Sequence, residues 1–456
     1  MLDMKQFLYL LPLALCPVMA EVADAKSVCM AALDSVQKAQ SEDMTPVITA
    51  VLDATSGDEQ AYLRLMREAS DAGHPVALLW SARQILNQIR TQNLNPETSP
   101  ESQNMRAAVE QAASKGYAPA MVELAHICGN GIGAPADEKA AMNHLMQACR
   151  LNSARARAGY LLLSGRLEKD ALSSAAVNAE LKKNNFYVEE FMAALQGSQD
   201  EAQSREWLTK AAEHGSAGAA CTLAFYYFNQ KQDSLGYEYL QKAVSLNHPE
   251  AMAQLASWYL PDAMIPEGIK SNITPDVGKA IRYFQVAALL GYTPALIPLA
   301  GEYHKQPEKY APSRVFELYR MAADAGDPRG GVAYGYCLVC GRGCTAEPER
   351  GVQMLTRLVD AGVPFANMAL ADLYFNGTGV PADMGKAIRS LSAAASAGVP
   401  QSYTLMAVIA QLGNASKPSE PNRARMYLRM AKERGEVAPQ ETFDNMVKQG
   451  SWKFIP

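Results

Sequence analysis

A glycine or asparagine follows an alanine-containing helical tail at Gly73, Gly116, Asn152, Gly215, Asn247, Gly291, Gly326, Gly362, Gly398 and Gly435. The successive spacings are 43, 36, 63, 32, 44, 35, 36, 36 and 37 residues. A period near 36 accommodates two helices and two turns. The repeat therefore constrains this chain more than its 456 residues do, since a prior of roughly 150 residues per domain gives about three domains only if no repeat carries the length.

Other positions hold the same register. Four residues after the anchor come Ala77, Ala120, Ala156, Ala219, Ala251, Ala295, Gly330, Ala366 and Ser402, all small. Four before it come Ala69, Ala112, Ala148, Ala211, Ala243, Ala287, Ala322, Ala394 and Ala431, with Leu358 as the exception. Small side chains let helix backbones approach, and Leu124, Leu223, Leu255, Leu299 and Leu370, eight after their anchors, are placed to fill the layer between them. Twelve after the anchor stand Tyr227, Tyr259, Tyr303 and Tyr374, with Cys128 and Leu338 as variants. Two such faces per repeat predict an αα-hairpin. The turns agree: Asn376-Gly377-Thr378-Gly379-Val380-Pro381-Ala382-Asp383 stops one helix at glycine and offers an aspartate cap to the next, and Gly131 to Asp137 repeats the design. No Gly-Lys-Ser or Gly-Lys-Thr ending follows, so these are turns and not phosphate loops.

These patterns resemble the Sel1-like repeat family, relatives of the tetratricopeptide repeats. The resemblance is carried by units such as Ala369-Leu370-Ala371-Asp372-Leu373-Tyr374-Phe375-Asn376-Gly377-Thr378-Gly379-Val380, then Asp383, Lys386-Ala387 and Ala393 to Gly398. It is strong over residues 100–152 and 200–435 and weaker over 56–99. It implies an all-α fold, a right-handed αα-superhelix of helix hairpins, acting as a scaffold that binds proteins or peptides. Some secreted members carry a regular disulfide in every repeat, a pairing that does not recur here.

The same register divides the chain. Residues 26–56 are expected to form an amino-terminal helical cap, 57–164 repeats with a degenerate first one, 165–200 a degenerate repeat or an inserted hairpin, 201–435 further repeats, and 436–456 a carboxy-terminal cap with a helix over Glu441 to Lys448. Two polar insertions interrupt the hairpins, at 92–102 and at 260–277, where Pro261, Pro266 and Pro275 fall. Insertions of this kind are expected at the edge of a solenoid, as contact elements or as tolerated lengthening.

Residues 1–25 read as a signal peptide: Lys5 precedes an apolar run from Phe7 to Cys16, and cleavage is expected after Ala20 or Ala25. Leu15 before Cys16 disfavours a lipidated cysteine, and Asp3 is compatible with a start at Met4. No later apolar stretch is long enough for a transmembrane helix. The mature chain is thus expected to be periplasmic or secreted.

Catalytic and cofactor signatures are absent from the sequence. It contains no His-Glu-x-x-His pair and no Gly-x-Ser-x-Gly elbow, and its six histidines are scattered. A formal net charge of -5 argues against nucleic-acid binding, although Arg314, Arg320, Arg329, Arg342 and Arg350 are locally basic. Cys337, Cys340 and Cys344 cluster at a helix end, compatible with a local disulfide, with free packed thiols, or with a zinc site lacking a fourth donor.

The expectation is therefore an adaptor without catalysis or cofactor, whose concave face binds a protein or peptide. Aromatic contacts would come from Tyr227, Tyr259, Tyr303 and Tyr374, with Tyr226 and Trp258 beside them reaching solvent more readily. In-register tyrosines can equally be packing residues. The alternative is binding of peptidoglycan or another envelope glycan, or less favourably a hydrolase acting on it.

Overall fold

The computed structural model describes residues 17–167, 174–197, 200–450, 452 and 454. All ten anchors adopt positive φ, from 61° at Asn152 to 101° at Gly215. After the anchor the chain folds back onto the carbonyl of the small residue four before it. Examples are the His74 amide on Ala69 at 2.9 Å, Ser216 on Ala211 at 2.8 Å and Asp327 on Ala322 at 2.9 Å. This closure satisfies a carbonyl that the helix end would leave open, and it fixes the exit angle of the chain.

The chain divides into two compact units, Met1–Tyr292 and Thr293–Pro456. The amino-terminal unit holds α1 (Pro17–Lys38), α2 (Thr45–Ala54), α3 (Glu59–Asp71), α4 (Pro75–Thr91), α5 (Pro100–Ser114), α6 (Ala118–Asn130), α7 (Glu138–Arg150) and α8 (Ala154–Leu167). It continues with α9 (Ser174–Leu181), α10 (Phe186–Gln196), α11 (Glu201–Glu213), α12 (Ala217–Asn229), α13 (Asp233–Ser245), α14 (Pro249–Trp258) and α15 (Val277–Leu289). The carboxy-terminal unit holds α16 (Leu296–His304), α17 (Pro312–Asp324), α18 (Pro328–Cys340), α19 (Pro348–Asp360), α20 (Pro364–Asn376), α21 (Met384–Ser396), α22 (Ser402–Leu412), α23 (Pro421–Glu433) and α24 (Pro439–Gln449). No strand accompanies them among the described residues, only an isolated bridge between Asn414 and Lys417.

From α4 onward, every even-numbered helix except α10 starts after an anchor, and those before α24 pack along the odd-numbered helix that follows, as α6 on α7, α12 on α13 and α18 on α19. Several of these first helices also touch one another, α6 with α8, α8 with α10 and α18 with α20, while contacts between successive second helices are weaker. Within each unit the array therefore bends with its first helices inside. This is an all-α solenoid of helix hairpins.

The small residues explain how closely the repeats stack. Ala77, Ala120, Ala156, Ala251, Ala295 and Ala366 after their anchors, and Ala112, Ala148, Ala211, Ala243, Ala287, Ala322, Ala394 and Ala431 before theirs, are all at 0% exposure. The two sets meet across the inter-repeat turn. At Gly330 the approach is tight, since a Cβ there would stand 2.4 Å from Ala322 Cβ, so only glycine fits. A second close approach is at Gly133, whose φ is +70° and whose added Cβ would lie 2.6 Å from the Ser102 carbonyl oxygen. Ala295→Phe is expected to overpack its site and lower stability by about 1–3 kcal/mol. A melting temperature equal to the parent's would place Ala295 outside the core and defeat the register there.

The irregular segments resolve into local packing. In the 63-residue interval, Asn184 has φ 53° and the Asn185 amide donates to the Glu180 carbonyl at 3.3 Å. This is the same closure, placed between α9 and α10, with Glu180 where alanine normally stands. The 260–277 insertion does not simply project. Its 3₁₀ turn Glu267–Asn272 sets Ile269 at 0% exposure and Ile273 at 6% into the core of α12 to α14, and the Gly268 amide donates to Asp233. Only its tip is free, with Met264 fully out in solvent. The 92–102 insertion is likewise tied down by the Gly133 amide on the Pro96 carbonyl at 2.8 Å.

At the amino end, the apolar run from Phe7 to Cys16 lies outside the described residues. Helix α1 passes through both expected cleavage positions, and Ala25 and Cys29 on it are buried. Among the described residues, no helix is long and apolar enough to cross a membrane. At the carboxy end, α24 packs on α22 and α23, taking the place of a further first helix.

Candidate functional site

The sequence-predicted aromatic positions are engaged by neighbouring rings and cations. Tyr227 stacks on Tyr239 at 5.5 Å between ring centroids, Tyr259 on Tyr283 at 6.1 Å, and Tyr303 on Tyr310 at 3.8 Å. In each case the partner lies on or just ahead of the second helix of the same hairpin. A cation covers three of the rings: Lys279 over Tyr259 at 5.6 Å, Arg314 over Tyr303 at 5.0 Å and Lys386 over Tyr374 at 5.1 Å. Tyr303 has no exposed surface, while Tyr226, Tyr227, Tyr259 and Tyr374 are half-buried. Trp258, expected to reach solvent, is instead 5% exposed, edge-on to Phe228 at 5.4 Å. It sits one residue before the tyrosine position, so on the first helix it turns into the hairpin core. Tyr226 packs edge-on to Tyr227 and accepts from Arg205, whose guanidinium also lies over its ring at 5.1 Å.

The inner faces are engaged by other residues. In the amino-terminal unit the irregular link between α1 and α2 crosses the starts of the first helices. Gln40 Oε1 accepts the Ala118 amide at 2.7 Å, and the Tyr117 hydroxyl donates to the Ser41 carbonyl. Glu42 accepts from Arg83 at 3.1 Å and from Arg155, and Asp43 accepts from Asn247 Nδ2 at 2.8 Å. Burial opposes the charge on Arg155, yet Glu42 beside it raises its pKa above the ordinary value. Beyond this link, Arg282 on α15 donates to the Thr49 carbonyl and to Asp53, and Gln285 donates to the Gly57 carbonyl at 2.9 Å and to Glu59 at 2.6 Å. Groups from α4, the start of α6, α8, the turn before α14, and α15 thus converge on residues 40–59. Nothing in the sequence distinguishes Glu42 and Asp43 from ordinary surface charges.

In the carboxy-terminal unit the chain's last described residues lie against first helices. The Asn376 Nδ2 donates to the Trp452 carbonyl at 3.1 Å and to Asp372 at 2.7 Å. Asp372, 1% exposed, also accepts from the Tyr336 hydroxyl and the Phe454 amide. Burial raises the Asp372 pKa despite these donors, and burial followed by the adjacent carboxylate raises that of Tyr336. The Phe454 ring meets Tyr336 at 5.2 Å, and Trp452 packs with Phe375. The sequence reading assigned these residues only to a terminal cap. Trp452 and Phe454, two residues apart after the polar Lys448-Gln449-Gly450-Ser451, were the available signal.

One mixed donor set occurs among the described residues. Cys221, His248 and Glu250 bring ligand atoms within 4.8 Å of one another beside a cavity of about 360 Å³ lined also by Glu190, Leu208 and Phe225. Burial pushes the Cys221 thiol up to about 12 and lowers the His248 pKa. A metal ion there would have to deprotonate Cys221, and three protein donors fall short of the four that close a structural zinc site. Cys337 and Cys344 are free thiols, so neither enters the local disulfide considered from sequence, and Cys344 Sγ instead points at the Cys337 carbonyl at 3.6 Å.

Stacked hairpins, inner faces that grip chain segments, and no evident catalytic constellation among the described residues define a helical-repeat scaffold of the tetratricopeptide-like class. The chain belongs to the Sel1 repeat family: the repeat profile matches residues 118–153, 191–216, 219–248, 249–292, 316–327, 332–363, 364–399 and 400–436, more than half of its length. Among solved structures it is similar to a protective antigen of uropathogenic Escherichia coli strains, at 16% identity and a TM-score of 0.42 over 93% of this chain and 98% of that one. It is also similar to a Sel1 repeat protein from Oxalobacter formigenes, at 20% identity and a TM-score of 0.42 over 53% of this chain and 96% of that one. An immunity protein from Pseudomonas aeruginosa aligns at 15% identity and a TM-score of 0.31 over 46% of this chain and 81% of that one. No curated protein matches at a significant level.

Proposed function

We propose that the protein is an exported adaptor, periplasmic or secreted, that binds extended segments of a protein or peptide along the concave face of its first helices. The observation that carries this reading is the grip on residues 40–43 in the amino-terminal unit. There, successive repeats direct a hydroxyl, an amide and two guanidiniums at one irregular segment, with two contacts made to or from backbone groups. Contacts of this kind read the path of a chain more than its sequence, which suits a scaffold. The basic amino-terminal residue, the apolar run and the small residues after it support export.

Glycan recognition finds less support. Its aromatic platforms would have to be open, whereas the in-register tyrosines are covered by a neighbouring ring or a cation. The discriminating experiment is capture with the purified mature chain from the source organism's envelope fraction, read by mass spectrometry. A reproducible protein partner is the expected result. Retention on cell-wall polymer with no protein recovered would overturn the reading in favour of glycan binding. Export is checked by fractionation and immunoblotting, with a shortened form in the envelope or medium expected. A full-length cytoplasmic form would defeat that part.

A further inference from the structure

We propose that Cys221, His248 and Glu250 form a binding site for a single divalent metal ion of the zinc class, with its fourth coordination position open to the cavity that they line. The site lies wholly within the amino-terminal unit and goes beyond the adaptor reading, on which it does not depend.

The repeat register brings the three donors together. Cys221 stands on α12, six residues after the anchor Gly215, where other repeats place apolar residues such as Leu79, Val122, Ala158 and Val332. His248 and Glu250 stand one and three residues after the next anchor, Asn247, at the start of α14. Two consecutive repeats therefore contribute to one set, whose ligand atoms all lie within 4.8 Å of one another. In no other repeat do a cysteine, a histidine and a glutamate fall at these positions.

The three groups also lack other partners. Cys221 is a buried free thiol, and His248 Nδ1 is a buried atom with no hydrogen-bond partner. His74, at the same register position as His248, has its ring engaged by Asp34 at 3.2 Å. Glu250 is half-buried and enters no ion pair among the described residues. A carboxylate withdrawn from water without a cation is costly, and an ion held between the three side chains supplies the missing charge.

Donor chemistry selects the ion. A thiolate sulfur, an imidazole nitrogen and a carboxylate oxygen suit zinc, whereas magnesium and calcium take oxygen ligands. Zinc bonds of about 2.0–2.3 Å set tetrahedral donors about 3.5 Å apart. Closing to that spacing asks for movements of about 1 Å, within reach of side-chain rotation. As the metal–sulfur bond forms, the ion gives up a water and the Cys221 proton leaves to solvent. Three protein donors leave one position free, and it opens on the cavity of about 360 Å³ lined also by Glu190, Leu208, Thr222 and Phe225. Glu190, held by the Ser216 hydroxyl, offers an acceptor to a water bound there.

The test is equilibrium dialysis of the full chain, purified under reducing conditions, against Zn²⁺, with Co²⁺ as a spectroscopic probe. One bound ion per chain is expected, with a near-ultraviolet cobalt–thiolate charge-transfer band and the intense visible bands of a four-coordinate ion. Cys221→Ser should abolish the charge-transfer band. Glu250→Gln should weaken binding at least about 10-fold, the loss that removing even a group behind the ligands produces. Cys344→Ser, the control for the other cysteine cluster, should change neither. Because Cys221 is 3% exposed, its serine variant could fail to fold. Circular dichroism is therefore recorded for each variant, and Glu250→Gln, half-buried at a helix start, tests the site by itself. Zn²⁺ should also raise the melting temperature of the parent by more than that of Glu250→Gln. A folded parent that binds no zinc overturns the proposal. So does equal affinity in Glu250→Gln and the parent, or loss of binding in Cys344→Ser, since either places the ion on other groups.

Discussion

Leu223→Ala is expected to lower the free energy of unfolding by about 2–5 kcal/mol, the usual range for emptying a buried leucine site. Leu223 is 1% exposed and lies in one cluster with Ala219, Ala220, Leu240, Ala243, Ala251 and Leu255. Those neighbours come from α12, α13 and α14, so one side chain joins two consecutive repeats. Alanines dominate the surroundings and have little length with which to fill the space left behind. In a solenoid each repeat depends on its neighbours for most of its buried surface, so the loss should destabilise adjacent hairpins as well. Denaturant unfolding followed by circular dichroism measures the total, and hydrogen exchange locates it. A change below about 0.5 kcal/mol, the range of an ordinary surface substitution, would show that this position does not fill the inter-repeat layer.

Glu180→Gln is expected to flatten the acid limb of the stability profile. Burial alone would raise the Glu180 pKa, but hydrogen bonds from Lys183, Arg157 and Asn185 lower it from 4.5 to about 2. The Lys183 and Arg157 contacts are 2.7 Å and 2.8 Å long. A carboxylate with a depressed folded pKa contributes stability that is fully present above its unfolded value. That contribution is lost as pH falls from about 4.5 toward 2. A shift of this size corresponds to about 2 kcal/mol once solvent screening around the exposed Lys183 is allowed for. The glutamine variant should therefore be less stable than the parent at neutral pH, with the two curves converging toward pH 2. Parallel curves through that window would mean that Glu180 carries no folding-linked charge.

The same residue shows where the sequence was legible and where it was not. Repeats whose register positions hold alanine announced themselves, because only small side chains permit the observed backbone approach and their spacing follows helix geometry. The closure between α9 and α10 was hidden because Glu180 stands at the alanine position. It is tolerated there through a network of Arg157, Lys183 and Asn185, contributed in part by a neighbouring helix. A pattern search sees residue size and polarity; it does not see a buried charge being neutralised by partners up to 23 residues away.

The aromatic positions carry a related lesson. Tyr227 and Tyr303 lie on first helices and Tyr259 at the end of one, and period and chemistry left both packing and binding open for them. The neighbouring rings Tyr239, Tyr283 and Tyr310 decided for packing. Trp258 went inward for a simpler reason: a step of one residue rotates a helical side chain by about 100°, enough to move it from one face to another.

What the sequence determined by itself was local and periodic: hairpins about 36 residues long, anchors that accept positive φ, and small residues where helices meet. These follow from short-range sterics, which every repeat states again in its own residues. The occupancy of the inner faces was decided by tertiary structure alone. The contact from Arg155 to Glu42 spans 113 residues, and that from Asn376 to Trp452 spans 76. Such pairings have no period and leave no mark on local composition, since they exist only after the solenoid has curved and brought distant surfaces within reach of one another.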